Sequence, residues 1–285
     1  MMVMGKYDTK DLIKMIKYFN ARIGMQAFDV NGNLVIIYED HRNILNVLMY
    51  LYKKGVINRT NPPDIISFDY HDDCLDGTTL PDIELIMGKT IEEARLRDFQ
   101  MFVEYEMSAL DNDWVTVGME TGLINRYINV GGKDVNNIDR YNGKYMSFDE
   151  RMHDMIYIDH LECEFNSDGL FLQNNEQGKI VRDVFGVDEL GNHFIKPVLL
   201  DFDLDCFACQ VSSKQEIFTP WSENTFKGMY QGFYDDYVNK FMKTMIDKSI
   251  VVTICTEPKY CGGYENSIKI LGYLNKYFFD NKLDV

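Results

Sequence analysis

The chain has 285 residues, of which 46% are hydrophobic, and its formal net charge is −16 at pH 7. This hydrophobic fraction is enough for a large folded core, which excludes a wholly disordered chain. The excess of acidic residues argues against nucleic acid or an anionic membrane as a partner, because both attract clustered Lys and Arg.

The chain also lacks the sequence signals of export and of membrane insertion. Its apolar runs are far shorter than the roughly 20 residues that span a bilayer. The first residues contain no apolar stretch of about 7–15 residues, which a signal peptide requires. With six cysteines and no such signal, we expect free thiols in a cytoplasmic protein.

The spacing of apolar residues predicts the elements of secondary structure. The N-terminal part is predicted to contain a helix over 9–23, a hairpin of strands 27–30 and 34–37 around Asn31-Gly32, a helix through 44–51 that stops near Gly55, and a strand over 65–68. A long helix over 90–110 follows, and it opens on the capping-box-like Thr90-Ile91-Glu92-Glu93. The remaining predicted elements are a strand over 198–200, a helix over 222–248, a strand over 251–254 and a last helix through 268–278.

Short apolar strands that alternate with helices are typical of an α/β protein. We expect a three-layer α/β/α arrangement with a mainly parallel central sheet, in a single domain over residues 1–285. Residues 160–196 contain several Gly and Asn between short alternating runs. They predict a hairpin-bearing insertion into that domain.

Acidic residues follow four of the predicted strands. They are found in Glu39-Asp40-His41, Asp69-Tyr70-His71-Asp72-Asp73, Asp201-Phe202-Asp203-Leu204-Asp205 and Glu257-Pro258. Ligands of open parallel sheets bind at the carboxyl ends of the strands. We therefore expect these four segments to converge on one pocket.

The acidic residues divide into two kinds. A single Asp after a strand is usually a helix cap or a turn former, and Asp40, Asp72 and Asp201 are open to this interpretation. The sets at 69, 71 and 73 and at 203 and 205 alternate, so in extended chain the members of each set point to one side. Several carboxylates on one side repel one another unless a cation binds them. Because oxygen ligands predominate, Mn²⁺ suits this set better than Zn²⁺.

Three further histidines are weaker candidates. His153, His160 and His193 are expected in helix-like or loop positions as ordinary surface or core residues. One of them could serve as a proton shuttle.

At these acidic segments the sequence resembles the arginase/deacetylase superfamily, and most of all a branch that includes the peptide arginases. Those enzymes convert arginine within a peptide to ornithine. The ureohydrolase motif Asp-x-His-x-Asp matches residues 69–73 at every ligand position, and the later Asp-x-Asp matches 203–205. The family's Gly-Gly-Asp-His is matched only as Asp40-His41. The order of the motifs agrees over about residues 34–258.

The resemblance implies a hydrolase with two Mn²⁺ ions. Its ligands would be His41 and Asp73 on one ion, His71 and Asp205 on the other, and Asp69 and Asp203 bridging both. A hydroxide between the ions would attack the substrate carbon. The departing amine would need a proton, and Asp73 is one candidate for passing it on. The family pattern also implies that Glu257 contacts the guanidinium.

The departures from the family pattern bear on the substrate. Tyr38-Glu39 stands where Gly-Gly is usual, and Cys206-Phe207 follows the Asp-x-Asp motif. These positions shape substrate access in small-molecule arginases. The resemblance therefore favours an arginine side chain in a peptide or protein, with ornithine and urea as products, over free arginine.

Two other functions remain open. One is a zinc-dependent, deacetylase-like amidohydrolase with a single Zn²⁺ on Asp69, His71 and Asp203, although the chain lacks the adjacent histidines of such enzymes. Its substrate would be an amide. The other is a non-catalytic metal-binding protein.

Overall fold

The computed structural model describes residues 8–21, 24–75, 77–108, 112–131, 143–158, 196–212, 217–224, 226–227 and 237–285. The chain divides into two compact units, of which the first is Met1–Glu39 with His160–Val285 and the second is Asp40–Asp159. A single domain over residues 1–285 stays a prediction. The predicted insertion at 160–196 lies outside the described residues, apart from Lys196.

The described residues contain helices and strands in alternation. The helices are α1 (Thr9–Asn20), α2 (Asn43–Lys53), α3 (Leu80–Met87), α4 (Leu96–Tyr105), α5 (Trp114–Glu120), α6 (Tyr237–Lys248), α7 (Pro258–Cys261) and α8 (Tyr264–Phe278). The strands are β1 (Gln26–Val30), β2 (Asn33–Tyr38), β3 (Asp64–Phe68), β4 (Tyr127–Val130), β5 (Gly143–Met146), β6 (Met152–Ile158), β7 (Val198–Asp203), β8 (Ala208–Ser212), β9 (Ile217–Pro220) and β10 (Val251–Cys255).

Both units have mixed, mostly parallel strand pairing. In the first unit the strands lie in the order β1-β2-β10-β7, and only the β1–β2 pair is antiparallel. In the second unit the order is β3-β4-β6-β5, and only β5–β6 is antiparallel. The strands β8 and β9 form a separate antiparallel pair. The prediction of an α/β protein with a mainly parallel sheet is thereby confirmed.

Local sequence explains the strands that were predicted. Asn31 and Gly32 both have positive φ, 57° and 83°, as a two-residue hairpin turn requires. Every residue of β2, β3, β7 and β10 is buried. Strands that are covered on both faces have apolar runs without alternation, which is why these segments are easy to recognise.

The predicted helix over 90–110 begins later than expected, at Leu96. Thr90 and Glu93 do exchange the predicted bonds, with Glu93 N donating to Thr90 Oγ1 at 3.3 Å and Thr90 N to Glu93 Oε2 at 3.5 Å. However, the Lys53 ammonium occupies the carbonyls of residues 91 and 92, at 3.1 and 2.7 Å. Continuing the helix would require those carbonyls to accept backbone N–H groups four residues on. The chain therefore makes a turn here. The helix also ends at Tyr105, so the prediction is wrong for residues 90–95 and 106–108.

No prediction covers α3, α5 or β4–β6, and α5 shows why. All seven of its residues are buried, so it has no polar face to give an amphipathic pattern. At Gly118 a Cβ atom would lie 2.2 Å from Ile124 Cδ1, so the glycine permits close packing of this helix. Among the described residues, no helix has both the length and the apolar character that a membrane span requires.

His153 lies in β6, so its expected helix-like or loop position is wrong. The side chain is 3% exposed, and its Nδ1 lies 2.8 Å from the carbonyl of Asn125. Its Nε2 lies 3.3 Å from Ser147 Oγ. Burial lowers the pKa of this imidazole below its ordinary value. His153 is therefore a neutral structural residue of the second unit.

This lowered pKa predicts a pH dependence of stability. The unfolded chain takes up a proton near pH 6.5 and the folded chain only at lower pH, so the contribution of His153 is complete above about 6.5 and is lost as the pH falls. Between pH 7.5 and 5.5, the free energy of unfolding of metal-free protein should fall more steeply in the parent than in His153→Gln. The difference cannot exceed about 1.4 kcal/mol per pH unit. Equal slopes in urea denaturation would contradict this role.

Candidate metal centre

His41 is fixed by the turn that leads into α2, and its side chain is completely buried. The carboxylate of Asp40 accepts a bond from Arg42 N at 3.0 Å and pairs with the Arg42 guanidinium. That guanidinium also donates to the carbonyl of Ser108 at 3.1 Å. Asp40 is thus a turn former, as interpreted from the sequence, and its pairing with Arg42 holds the backbone that presents His41.

The segment after β3 carries Asp69, His71 and Asp73, but its backbone is not extended. Asp69 Oδ1 accepts the N–H of His71 at 2.7 Å, which closes a turn, and Asp73 has a left-handed backbone with φ 48°. The expected alternation of these side chains along an extended chain is therefore wrong. Asp72 closes a further turn by accepting the N–H of Cys74 at 3.4 Å, as its interpretation as a turn former requires.

Three of the predicted ligands nevertheless converge in the second unit. His41 Nδ1 lies 3.7 Å from Asp69 Oδ2 and 2.9 Å from Asp73 Oδ2. One ligand atom from each residue lies within 4.8 Å of the other two, and all three residues are buried. A cation with ligand distances of about 2.1 Å needs donors this close together. One imidazole and two carboxylates fit a divalent cation such as Mn²⁺.

His71 approaches the same cluster through Asp69. A ligand atom of its half-buried ring lies within 4.8 Å of one from Asp69. Its backbone is held from β4, because Asn129 Nδ2 donates to the His71 carbonyl at 2.6 Å. His71 is therefore available as a further donor beside Asp69.

The cluster has buried surroundings, and its own carboxylates give it a negative charge. Burial raises the pKa of the Cys74 thiol and of the Tyr127 phenol well above their ordinary values, and the carboxylates of Asp69 and Asp73 add to both shifts. Both groups stay protonated at neutral pH. Buried carboxylates in such a setting gain most from a bound cation.

Trp114 contacts the cluster and has no counterpart in the sequence prediction. Its indole Nε1 donates to Asp73 Oδ2 at 2.6 Å, and its ring centroid lies 4.9 Å from that of His41. The side chain is fully buried. The only sequence signal is that the chain has just two tryptophans, and this gives no partner or distance.

The predicted ligands Asp203 and Asp205 lie in the first unit, and both are buried. Asp203 ends β7 and caps a short 3₁₀ helix, Leu204–Phe207, by accepting the N–H of Asp205 at 3.2 Å. The extended alternation predicted for this pair therefore stops at Asp203. The predicted substrate-binding residue Glu257 precedes α7, with φ 25° and 8% exposure.

Cys255 was not predicted as a site residue. Its thiol, together with a carboxylate oxygen from each of Asp203 and Glu257, belongs to a set of ligand atoms within 4.8 Å of one another. The thiol also donates to the carbonyl of Glu39 at 3.3 Å. Burial raises the pKa of the nearby Cys261 thiol, and the carboxylates of Asp203, Asp205 and Glu257 raise it further. The first unit therefore has its own sulfur- and oxygen-bearing cluster.

Asp201 is neither a cap nor a turn former, so that interpretation is wrong for this residue. It lies within β7 opposite Thr253 of β10 and is completely buried. Its Oδ1 accepts bonds from Thr253 Oγ1 at 2.6 Å and from Tyr38 Oη at 3.4 Å. These contacts connect three neighbouring strands of the first unit.

Comparison with known proteins does not assign a family to the chain. No protein-family profile matches it, and no curated protein is significantly similar to it. Its function therefore has to be argued from the residues themselves.

Proposed function

We propose that this protein is a metal-dependent C–N hydrolase that acts on a guanidinium group, that of an arginine side chain within a peptide or protein. The observation that carries this function is the buried group of His41, Asp69 and Asp73, whose donor atoms lie close enough to share one cation. These residues also occupy ligand positions of the ureohydrolase motifs. The proposal includes the arginase/deacetylase-like form of the three-layer fold.

The proposed metal content is two Mn²⁺ ions. In the second unit, His41, Asp69, His71 and Asp73 would supply donors, and the sequence resemblance adds Asp203 and Asp205 as ligands. When bound, the metal supplies positive charge that acidifies water and polarises the substrate. Burial of Asp69 and Asp73 keeps bulk water from competing for the cation.

The reaction can be written with all atoms accounted for. Water adds its oxygen to the guanidinium carbon, the bond between that carbon and the side-chain nitrogen breaks, and the products are urea and the ornithine ammonium group. The departing nitrogen takes up both protons of that water to become the ammonium group, and Asp73 is the proposed group that passes one of them on. The carboxylate of Glu257 is proposed to accept hydrogen bonds from the guanidinium before cleavage.

Urea release tests this function directly. The full-length protein, first stripped with EDTA and then loaded with Mn²⁺, should release urea from arginine-containing peptides and leave ornithine in the chain. Matched peptides with lysine in place of arginine and EDTA-treated protein are the controls. If a broad panel of arginine peptides and free arginine yields no urea above these controls, the guanidinium substrate is wrong.

A zinc amidohydrolase is the second candidate, and Cys255 favours it. A thiolate beside Asp203 and Glu257 is a softer ligand than Mn²⁺ usually takes, whereas Zn²⁺ binds sulfur readily. Metal analysis and an activity assay separate the two functions. About one zinc per chain, together with release of acetate from acetylated lysine peptides, would support the zinc amidohydrolase. Tight metal binding with neither activity would instead indicate a non-catalytic metal-binding protein.

A cytoplasmic location is also proposed. It is supported by the cysteines of the described residues, Cys74, Cys206, Cys209, Cys255 and Cys261, which are all free thiols.

A further inference from the structure

The backbone at and after Asp73 is held by hydrogen bonds to the segment that begins α5. Val115 N donates to the Asp73 carbonyl at 3.3 Å, and Leu75 N donates to the carbonyl of Asn112 at 2.9 Å. Thr116 Oγ1 donates to the Leu75 carbonyl at 2.7 Å. Asp73, which has a left-handed backbone, and Leu75 are thus both bonded to residues 112–116, around the start of one helix.

Trp114 is the residue of α5 that reaches the Asp73 side chain. An indole N–H is a donor only, and in a buried position it needs an acceptor. Here the acceptor is Asp73 Oδ2, at 2.6 Å, which is also the oxygen that lies 2.9 Å from His41 Nδ1. One donor therefore fixes the oxygen that faces the imidazole.

The indole ring is itself held in place. It is completely buried and packs edge-to-face on Tyr127 of β4, with ring centroids 5.6 Å apart. The ring of His41 also lies close to it, with ring centroids 4.9 Å apart. A rotation of the indole would break both ring contacts and the bond to Asp73, so its orientation is coupled to two members of the cluster.

We propose that Trp114 is a positioning residue that orients the Asp73 carboxylate, and with it the His41 ring, for binding a divalent cation. This role rests on the proposed function, because it concerns the same metal ligands. Removing a residue that hydrogen-bonds to a metal ligand, but does not bind the metal itself, typically weakens metal affinity by about 10–100-fold. Trp114 should therefore affect cation affinity although it offers no ligand atom of its own.

Calorimetric titration with Mn²⁺ tests this role in the full-length protein. Trp114→Phe should bind Mn²⁺ about 10–100-fold more weakly than the parent. The matched control is Trp221→Phe, which removes the other tryptophan, a 6% exposed residue in the first unit that packs on Phe207 at 5.6 Å. The control should retain the parent affinity within about threefold, which corresponds to under 1 kcal/mol.

A second variant keeps the test valid if Trp114→Phe does not fold. In the Trp221→Phe background, biosynthetic replacement of the remaining tryptophan by benzothienylalanine exchanges only the N–H for sulfur and preserves the ring shape. Mn²⁺ affinity should again fall. Parent-like affinity in this protein or in Trp114→Phe would overturn the positioning role and leave the proposed function intact. If the parent itself binds no divalent cation, both are overturned.

Discussion

Replacing Asp69 by Asn should abolish the stabilisation of the protein by Mn²⁺ without destabilising the metal-free form. At about 100 times its Kd, a cation that binds only the native state stabilises it by about 2.7 kcal/mol. The parent should therefore melt at a higher temperature with Mn²⁺ than with EDTA. In Asp69→Asn this difference should vanish, because the amide removes the charge of a carboxylate that lies within 4.8 Å of donor atoms on both His41 and Asp73.

The expected stability of Asp69→Asn in EDTA follows from the charges around His41. Asp69 and Asp73 are two buried carboxylates beside one imidazole, at 3.7 and 2.9 Å from His41 Nδ1. Without a cation their mutual repulsion opposes folding, and Asn removes one of the charges. The Asn side-chain oxygen can still accept the N–H of His71, which Asp69 binds at 2.7 Å. In EDTA the variant should thus melt no lower than the parent.

A matched control lies in the same segment. Asp72→Asn removes one carboxylate that closes a local turn and is not among the cluster ligands. It should keep the response to Mn²⁺ and, if the protein is a hydrolase, its urea release. A melting shift with Mn²⁺ that persists in Asp69→Asn would exclude this carboxylate as a ligand.

Replacing Thr253 by Val should lower the free energy of unfolding by about 1–3 kcal/mol. Val has nearly the shape of Thr and suits a strand, so the packing of β10 is preserved. What is lost is the 2.6 Å hydrogen bond from Thr253 Oγ1 to the fully buried Asp201. Removing this donor should lower the free energy of unfolding by more than an average hydrogen bond contributes, because the buried carboxylate oxygen cannot bind water instead. Urea denaturation of metal-free protein measures the change.

Tyr38→Phe is the graded control for this experiment. It removes a second donor to the same Asp201 oxygen, but from a distance of 3.4 Å, at which a hydrogen bond is weak. We therefore expect a smaller loss than in Thr253→Val. If Thr253→Val is as stable as the parent, or Tyr38→Phe is the more damaging change, Asp201 does not depend on Thr253 in the way its geometry indicates.

The residues of the candidate site show how far sequence reasoning extends. The family resemblance implied His41, Asp69 and Asp73 among the ligands of one ion, and their donor atoms do lie together. The predicted alternation along an extended chain is wrong, because turns and the left-handed backbone of Asp73 bring Asp69 and Asp73 together. The motif names the side chains, whereas the backbone at and after Asp73 is held by hydrogen bonds to residues 112–116.

Other contributions to the site had no sequence signal that could be read in advance. Trp114 lies far along the chain from Asp73, as Cys255 does from Asp203 and Glu39, and each belongs to a buried segment without alternation. Asp201 had the sequence context of a turn former, yet it accepts bonds from two neighbouring strands. Pairing between distant strands and helices decides such contacts, and one sequence does not contain their distances.

The sequence by itself determined the α/β class, the hairpin at Asn31-Gly32 and the buried strands, and its resemblance to a known superfamily supplied the candidate metal ligands. The fold features follow from short-range rules, namely apolar runs and turn residues with positive φ. Only the tertiary structure decided where α4 begins, which oxygen of Asp73 faces His41 and that a tryptophan holds it. These depend on Lys53 and Trp114, side chains whose partners are remote in sequence and are selected by the packing of the core.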